Sequence, residues 1–208
     1  MKTFGILGDS YSTFKGYIVE GNRRYYPLPE EVEDVLSVEQ TWWYQLMQRR
    51  NLRLLVNDSY SGATVCEDVR EGYPLESAFT KRVIRSFGPE TGEKPDIIFL
   101  FGCTNDYWFN RTMGRPQYSN WTEEDLQCTL PAYCYILDYL KEENPQARIV
   151  AIINDVFSPE IEGDMIASAE YYGAAVVKLN SIDKQNDHPT ALGMEQIFRQ
   201  VDAVLDNL

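Results

Sequence analysis

Five short runs of apolar, largely β-branched residues recur along the chain and predict β-strands. Longer segments with apolar residues at helical spacing separate them, so strands and helices alternate. The runs are apolar almost throughout rather than at every second position, which is typical of parallel strands buried on both faces. The predicted strands cover residues 3–7, 52–56, 96–101, 148–153 and 174–179.

Four of the segments between and after these strands predict helices. Ser37 can serve as the N-cap of the first, and Thr122 with Asp125 three residues on resembles a capping box for the second. The predicted helices cover residues 38–50, 122–143, 159–172 and 190–205. The alternation predicts a single α/β domain over residues 1–208, a three-layer α/β/α sandwich around a five-stranded, mainly parallel sheet.

Two long segments show no period and predict loops that carry aromatic residues. Residues 16–34 contain three tyrosines, and residues 107–121 contain two tryptophans, two tyrosines and a phenylalanine. Both follow a predicted strand. In an open α/β sheet, ligands bind at the edge formed by the carboxyl ends of the strands. We therefore expect both loops to lie beside a ligand site, or to cover that edge.

The negative charge of the chain argues against some classes of binding partner. Its 208 residues include 19 Lys and Arg against 32 Asp and Glu, a formal net charge of −13. Such a field repels phosphate backbones and anionic lipid surfaces, so we expect neither nucleic acid nor membrane as a partner. The longest apolar runs are far shorter than the roughly 20 residues of a membrane helix. The sequence leaves the oligomeric state open, and a homo-oligomer is compatible with it.

The cysteines and the first residues bear on the compartment. Four cysteines without a C-x-x-C pair, together with a single histidine, argue against a zinc site. Isolated buried thiols fit a reducing compartment. The first residues contain no apolar core of a signal peptide, so we expect a cytoplasmic protein, or a secreted or periplasmic one if a signal had been removed.

Polar, glycine-flanked clusters follow three of the predicted strands. They occupy residues 8–12, 57–62 and 102–106, and a fourth cluster at residues 187–190 precedes the last helix. One edge of the sheet would then collect a serine hydroxyl, exposed backbone N–H groups, a carboxamide and the imidazole. These are the groups that acyl transfer requires, with serine as nucleophile, histidine as base, and N–H groups as oxyanion donors.

These residues, in this order, resemble the SGNH family of GDSL-type esterases and lipases. The resemblance runs from Gly8 to Gly193 and implies the flavodoxin-like SGNH hydrolase fold, no metal and no cofactor. It implies Ser10 as the nucleophile and His188 as the base. It also implies an oxyanion hole formed by the backbone N–H groups of Ser10 and Gly62 and the side-chain amide of Asn105.

The chain departs from the family pattern at two places. Cys103 stands where the third block usually has glycine, and Gln185 stands where the last block usually has aspartate, three residues before His188. The group that orients the histidine is therefore open. Asp183 is the first candidate, Gln185 or a backbone carbonyl the second, and Asp187 the third.

Aromatic residues near the reacting groups suggest the substrate. Tyr107 and Trp108 follow Asn105 and could stack on sugar rings, so we expect a short-chain, acetyl ester of a carbohydrate. A thioesterase or lysophospholipase is an alternative within enzymes. Because the aspartate before the histidine is missing, a non-catalytic carbohydrate-binding protein on the same fold is the alternative outside them.

Overall fold

A five-stranded parallel sheet forms the centre of the protein, whose computed structural model describes residues 1–206. The strand order is β2-β1-β3-β4-β5, with every neighbouring pair parallel. The strands are β1 (Thr3–Gly8), β2 (Arg53–Ser59), β3 (Ile97–Phe101), β4 (Arg148–Ile153) and β5 (Ala175–Lys178). Two-residue strands, β6 (Lys184–Gln185) and β7 (His188–Pro189), pair as a small antiparallel hairpin.

Helices cover both faces of the sheet. The helices are α1 (Trp42–Arg50), α2 (Phe79–Phe87), α3 (Thr104–Trp108), α4 (Thr129–Glu143), α5 (Pro159–Tyr171) and α6 (Ala191–Leu205). Helices α1 and α6 pack together on one face, while α2, α4 and α5 pack on the other. The α/β/α sandwich with a parallel sheet is therefore confirmed.

Successive side chains of each strand point to opposite faces and fill two separate apolar layers. Ile6 packs beneath α1 and α6, and Leu7 packs beneath α2 and α4. Phe99 and Leu100 of β3 divide in the same way. A strand that must be apolar on both sides has no alternation left in its sequence, which explains the continuous runs.

Helix α2 was not among the predicted helices. Its buried residues include Phe79, Val83 and Phe87 at four-residue spacing, but the buried Arg82 interrupts the apolar face. Arg82 is tolerated there because it donates to the Ser77 carbonyl at 2.7 Å and lies beside the buried Asp58 carboxylate. A sequence pattern reads arginine as exposed, whereas this arginine is held by partners from other elements.

Two predicted helices begin later than their caps suggested. Thr122 and Asp125 do form the reciprocal capping bonds, but they close a 3₁₀ turn at Asp125–Gln127, and α4 begins only at Thr129. Likewise a 3₁₀ turn, Val38–Gln40, precedes α1. Short capped turns and helix starts share one local sequence signature, so the pattern alone does not separate them.

The four cysteines are free, and three of them, Cys66, Cys103 and Cys134, are buried. None of the helices in residues 1–206 combines the length and the apolar character that crossing a membrane would demand.

Candidate active site

Ser10 lies just beyond the carboxyl end of β1, the strand that lies between β2 and β3 in the sheet. It opens a 3₁₀ turn, Ser10–Ser12, whose N-cap is Asp9. The Asp9 carboxylate accepts from the Tyr11 N–H at 3.0 Å and fixes the turn. Ser10 is therefore held rigidly at the sheet edge where ligands bind in this class of fold.

His188 lies within hydrogen-bond distance of this serine. The His188 Nε2 atom is 2.9 Å from the Ser10 Oγ atom, although the two residues are 178 positions apart. The structure thus brings together the two residues that the sequence pattern paired. At this distance an unprotonated Nε2 can accept the hydroxyl proton.

The β6–β7 hairpin carries His188 and is fastened to the rest of the edge by hydrogen bonds on both sides. The donors and acceptors are Tyr11 Oη to the Asp187 carbonyl at 2.6 Å, Tyr26 Oη to the Pro189 carbonyl at 2.7 Å, and Gln185 Nε2 to the Val32 carbonyl at 2.9 Å. The loop at residues 16–34 and the turn after β1 therefore hold the base in place.

A main-chain oxygen orients the imidazole. The His188 Nδ1 atom is 2.9 Å from the carbonyl oxygen of Asn186. With that oxygen as acceptor, Nδ1 carries the proton and Nε2 keeps the lone pair that faces Ser10. Of the candidates weighed from the sequence, the structure shows a backbone carbonyl in this position.

Asp183, the first candidate for that role, is directed elsewhere. Its carboxylate accepts from the Thr190 hydroxyl, and its own N–H donates to Gln196 at 2.7 Å. The carboxylate is thus bound to the N-cap of α6 instead of the imidazole, which corrects the expectation. The Gln185 amide is engaged with Val32, as above. Asp187 acts on His188 by charge and not by a hydrogen bond to the ring.

Burial lowers the pKa of His188 below its ordinary value. The Asn186 carbonyl and the Asp187 carboxylate oppose this shift, and the Lys184 ammonium adds to it. The net direction keeps the imidazole neutral at pH 7, the state in which it can act as a base.

Aromatic rings surround the imidazole. Tyr25 stacks on it face to face, with ring centres 3.6 Å apart and an angle of 5° between the planes. The Tyr25 hydroxyl donates to Glu33 Oε1 at 2.8 Å, and Glu33 is only 1% exposed. Tyr11 and Trp108 lie with their ring centres 5.5 and 6.1 Å from that of His188.

Three groups near Ser10 can donate to an oxyanion. Ser10 is the first residue of its 3₁₀ turn, so its N–H has no partner within the turn. Within residues 1–206 no carbonyl accepts the N–H of Gly62. Asn105 donates one amide hydrogen to the Ala63 carbonyl at 3.0 Å, which leaves the other free. All three residues line one cleft with His188.

Glycine is required at position 62 for two reasons. Its φ is +83°, in the left-handed region, and a Cβ atom there would lie 2.3 Å from the Tyr73 hydroxyl oxygen. A side chain there would have to displace the Tyr73 ring, and its backbone would be strained at this φ. Cys103, at the other departure from the family pattern, also adopts a left-handed φ of 68°, which explains why glycine is usual there.

Two buried carboxylates support this edge. Asp106 accepts from the Val65 N–H at 2.9 Å and from the Cys66 N–H at 3.1 Å, so it ties the segment that follows Gly62 to helix α3. Burial raises the pKa of Asp9 to about 7, against the opposing effect of the Tyr11 N–H.

The cleft has a volume of about 370 Å³ and an aromatic wall that includes Trp108 and Phe109. Tyr107, expected beside Trp108 in that wall, lies outside it. It lines a separate depression and packs edge-on against Phe157 at 5.5 Å. Residues 104–108 are helical, so neighbouring side chains point in different directions.

Several residues that line or support the cleft were not predicted from the sequence. They are Arg23, Tyr25, Glu33, Arg70, Tyr73 and Asn186. They lie in irregular segments where no periodicity marks them. The aromatic content of residues 16–34 was the one available signal.

A buried serine, a neutral histidine in contact with it and converging N–H donors define the class of serine hydrolases. The sequence model of the GDSL-like Lipase/Acylhydrolase family matches residues 2–205, and the chain belongs to that family. No curated protein sequence matches the chain in a comparison of sequences.

Solved structures agree with this family. A protein from Bacteroides ovatus ATCC 8483 assigned to the GDSL-like lipases is 37% identical, with 100% of this chain and 99% of that chain covered and a TM-score of 0.91. One from Bacteroides uniformis ATCC 8492 is 39% identical, with 100% and 96% covered and a TM-score of 0.90. A family two carbohydrate esterase from Clostridium thermocellum, in complex with cellohexaose, shares the fold at 13% identity, with 99% and 64% covered and a TM-score of 0.65.

Proposed function

We propose that the protein is a serine esterase that hydrolyses short-chain, acetyl esters of carbohydrates, with Ser10 as nucleophile and His188 as base. The observation that carries the proposal is the distance of 2.9 Å between Ser10 Oγ and His188 Nε2, at the edge where the oxyanion donors converge.

In the first half of the reaction, Ser10 Oγ bonds to the ester carbonyl carbon while His188 Nε2 takes the hydroxyl proton. The electron pair of the carbonyl moves to its oxygen, which the N–H groups of Ser10 and Gly62 and the amide of Asn105 stabilise. Each such donor contributes about 3 kcal/mol in enzymes of this kind. The carbon–oxygen bond to the alcohol then breaks, and the alkoxide receives the proton from Nε2.

In the second half, water attacks the acylated Ser10 and gives a proton to His188 Nε2. The second oxyanion occupies the same hole. Its collapse breaks the bond to Ser10 Oγ, which recovers the proton, and releases the carboxylic acid. These steps return the enzyme to its starting state, and none of them uses a metal ion or a cofactor.

The histidine must carry a positive charge between these steps. Three groups around the imidazole favour that charge: the Asn186 carbonyl at Nδ1, the Asp187 carboxylate, and the face of the Tyr25 ring. Cations are attracted to the electron-rich face of an aromatic ring. These groups take the part that a triad carboxylate would otherwise have.

The substrate assignment rests on the aromatic wall of the cleft. The rings that line it beside Ser10 are Tyr25, Tyr73, Trp108 and Phe109. Tyr25 stacks on His188, and Tyr73 and Phe109 contact Arg70. Trp108 is therefore the ring best placed to stack on the apolar face of a sugar. The carbohydrate esterase from Clostridium thermocellum, seen with cellohexaose, shares only the fold at 13% identity. This likeness of fold supports a sugar substrate by analogy alone.

The test is hydrolysis of p-nitrophenyl esters from acetate to decanoate by the wild-type protein and Ser10→Ala. We expect wild-type turnover that is greatest for acetate and a loss of at least about a thousandfold in kcat for the variant, with an unchanged melting temperature. A variant that keeps more than about a tenth of wild-type kcat would show that Ser10 is not the nucleophile. A maximum at long acyl chains would instead indicate a lysophospholipase.

Within residues 1–206 the acceptor at His188 Nδ1 is a carbonyl and not a carboxylate, which favours one other candidate, a carbohydrate-binding protein without turnover. That candidate predicts no hydrolysis of any ester by the wild-type protein, combined with saturable binding of the sugar. Calorimetry with an acetylated xylo-oligosaccharide, alongside the ester assays, separates the two functions.

A further inference from the structure

Two arginines, Arg23 and Arg70, line the cleft that contains Ser10 and His188. Neither has a carboxylate within ion-pair distance among residues 1–206. By contrast, eight of the twelve arginines in the chain do form ion pairs in that part of the structure. The chain has a net charge of −13, yet in residues 1–206 both of these cleft arginines lack a carboxylate partner.

The two guanidinium groups converge on one oxygen atom. Arg23 Nη1 donates to the Tyr73 hydroxyl at 2.9 Å, and Arg70 Nη1 donates to the same hydroxyl at 3.3 Å. Two like charges held this close repel each other, and an anion between them would remove the repulsion. No residue among 1–206 supplies that anion, since the one carboxylate that lines the cleft, Asp187, makes no ion pair with either arginine.

Aromatic rings fix the position of Arg70. Its guanidinium carbon lies 3.7 Å from the ring centre of Phe109 and 4.9 Å from that of Tyr73. Within residues 1–206 the one hydrogen bond of this guanidinium group is the donation from Nη1 to the Tyr73 hydroxyl, so its other N–H groups are available to a ligand. This is the arrangement in which arginine binds a carboxylate through two parallel hydrogen bonds.

Arg23 and Arg70 lie beside the proposed oxyanion hole. The Tyr73 hydroxyl, to which both arginines donate, is the atom that a Cβ at Gly62 would approach to 2.3 Å. Within residues 1–206 that hydroxyl accepts two hydrogen bonds and donates none. Its proton is therefore free to serve as a further donor toward the cleft.

We propose that Arg23, Arg70 and Tyr73 form a carboxylate-binding subsite, so that the preferred substrate is an ester that carries a carboxylate, as an acetylated acidic sugar does. The proposal rests on the esterase function proposed above and assigns its substrate class. The two arginines would locally offset the repulsion that a net charge of −13 exerts on an anionic substrate.

The test compares two esters that differ in charge and little in shape. 4-Acetoxybenzoate carries a carboxylate at pH 7, and 4-acetoxybenzamide is its neutral counterpart. We expect wild-type kcat/KM to favour the benzoate by about tenfold or more, since a hydrogen bond to a charged group contributes about that factor. The preference should fall as sodium chloride is raised, because salt screens the charges.

Arg23→Gln and Arg70→Gln should each reduce the preference, and the double variant should abolish it, with the benzamide changed less than about threefold. The control is Arg199→Gln, which removes the same charge from an exposed arginine paired with Glu195 on α6. It should leave the preference intact. Equal losses on both esters in the double variant would show that the arginines only support Tyr73, and would overturn the proposal.

Binding of the unreactive amides 4-acetamidobenzoate and 4-acetamidobenzamide separates this proposal from the esterase function. If the wild-type protein hydrolyses both esters without preference, the subsite is wrong and the esterase stands. If it hydrolyses neither ester but binds the acetamidobenzoate more tightly, and the double variant does not, the subsite stands and the esterase is wrong. Equal binding of both amides overturns the subsite.

Discussion

The rings of Tyr25 and His188 lie parallel, 3.6 Å apart between centres, and the phenol of Tyr25 donates to the buried Glu33. A phenol that donates to a carboxylate has an electron-richer ring, and that ring faces the imidazole. Tyr25 comes from the irregular loop at residues 16–34, which forms no helix or strand. The loop thus contributes to the chemistry of a residue more than 150 positions away.

Tyr25→Leu should reduce kcat/KM for p-nitrophenyl acetate by about threefold to thirtyfold, since a cation over a ring gains about 0.5–2 kcal/mol. Leucine keeps the apolar cover but not the ring face, so the acid limb of the pH profile should shift to lower pH. Tyr25→Phe, the matched control, keeps the ring and should retain most activity. A wild-type rate and profile in Tyr25→Leu would show that the stacking only packs the loop.

Asp183→Asn should leave kcat within about threefold of wild type, because its carboxylate contacts Thr190 and not the imidazole. Loss of a triad carboxylate costs about 10⁴ in turnover. Asp187→Asn should also keep most of kcat. Its carboxylate raises the pKa of His188, so its removal should move the acid limb of kcat/KM to lower pH. A hundredfold loss in Asp183→Asn would contradict the orientation by Asn186.

Trp108→Ala should lower kcat/KM for an acetylated sugar by about tenfold, because a covered sugar ring gains a couple of kcal/mol from burial of apolar surface. p-Nitrophenyl acetate, which has a small alcohol part, should change less than about threefold. Tyr107→Ala is the matched control, since that ring lies outside the cleft. Equal losses on both esters with a lower melting temperature would count against a sugar site at Trp108.

Asp9→Asn should change how stability depends on pH. Burial raises the pKa of Asp9 to about 7 in the folded protein, well above its unfolded value. The folded state therefore holds a proton that the unfolded state releases between about pH 4 and pH 7. Over that window the wild-type free energy of unfolding should fall relative to Asp9→Asn, by up to about 4 kcal/mol. Urea unfolding at pH 4, 5.5, 7 and 8 measures it, and parallel curves for the two proteins would refute it.

The strands could be predicted from the sequence because burial on both faces of a parallel sheet leaves an unmistakable apolar run. Residues a few positions beyond a strand, such as Ser10 after β1 and Asn105 after β3, could be placed because the end of the strand fixes their position. Helix α2 could not be predicted, because the buried Arg82 interrupts its apolar face and the partners that hold this arginine come from other elements. Arg70 and Tyr25 lie in irregular segments, where only the folded chain decides which side chains meet.

The acceptor at His188 Nδ1 is a main-chain oxygen, and every amino acid brings that oxygen with it. Position 186 is therefore expected to tolerate substitution far better than a triad aspartate does. The limit is set by its backbone, whose φ of 49° suits asparagine, aspartate and glycine. In a mutational scan, replacements here would be sorted by backbone conformation rather than by charge, and β-branched residues would be the damaging ones.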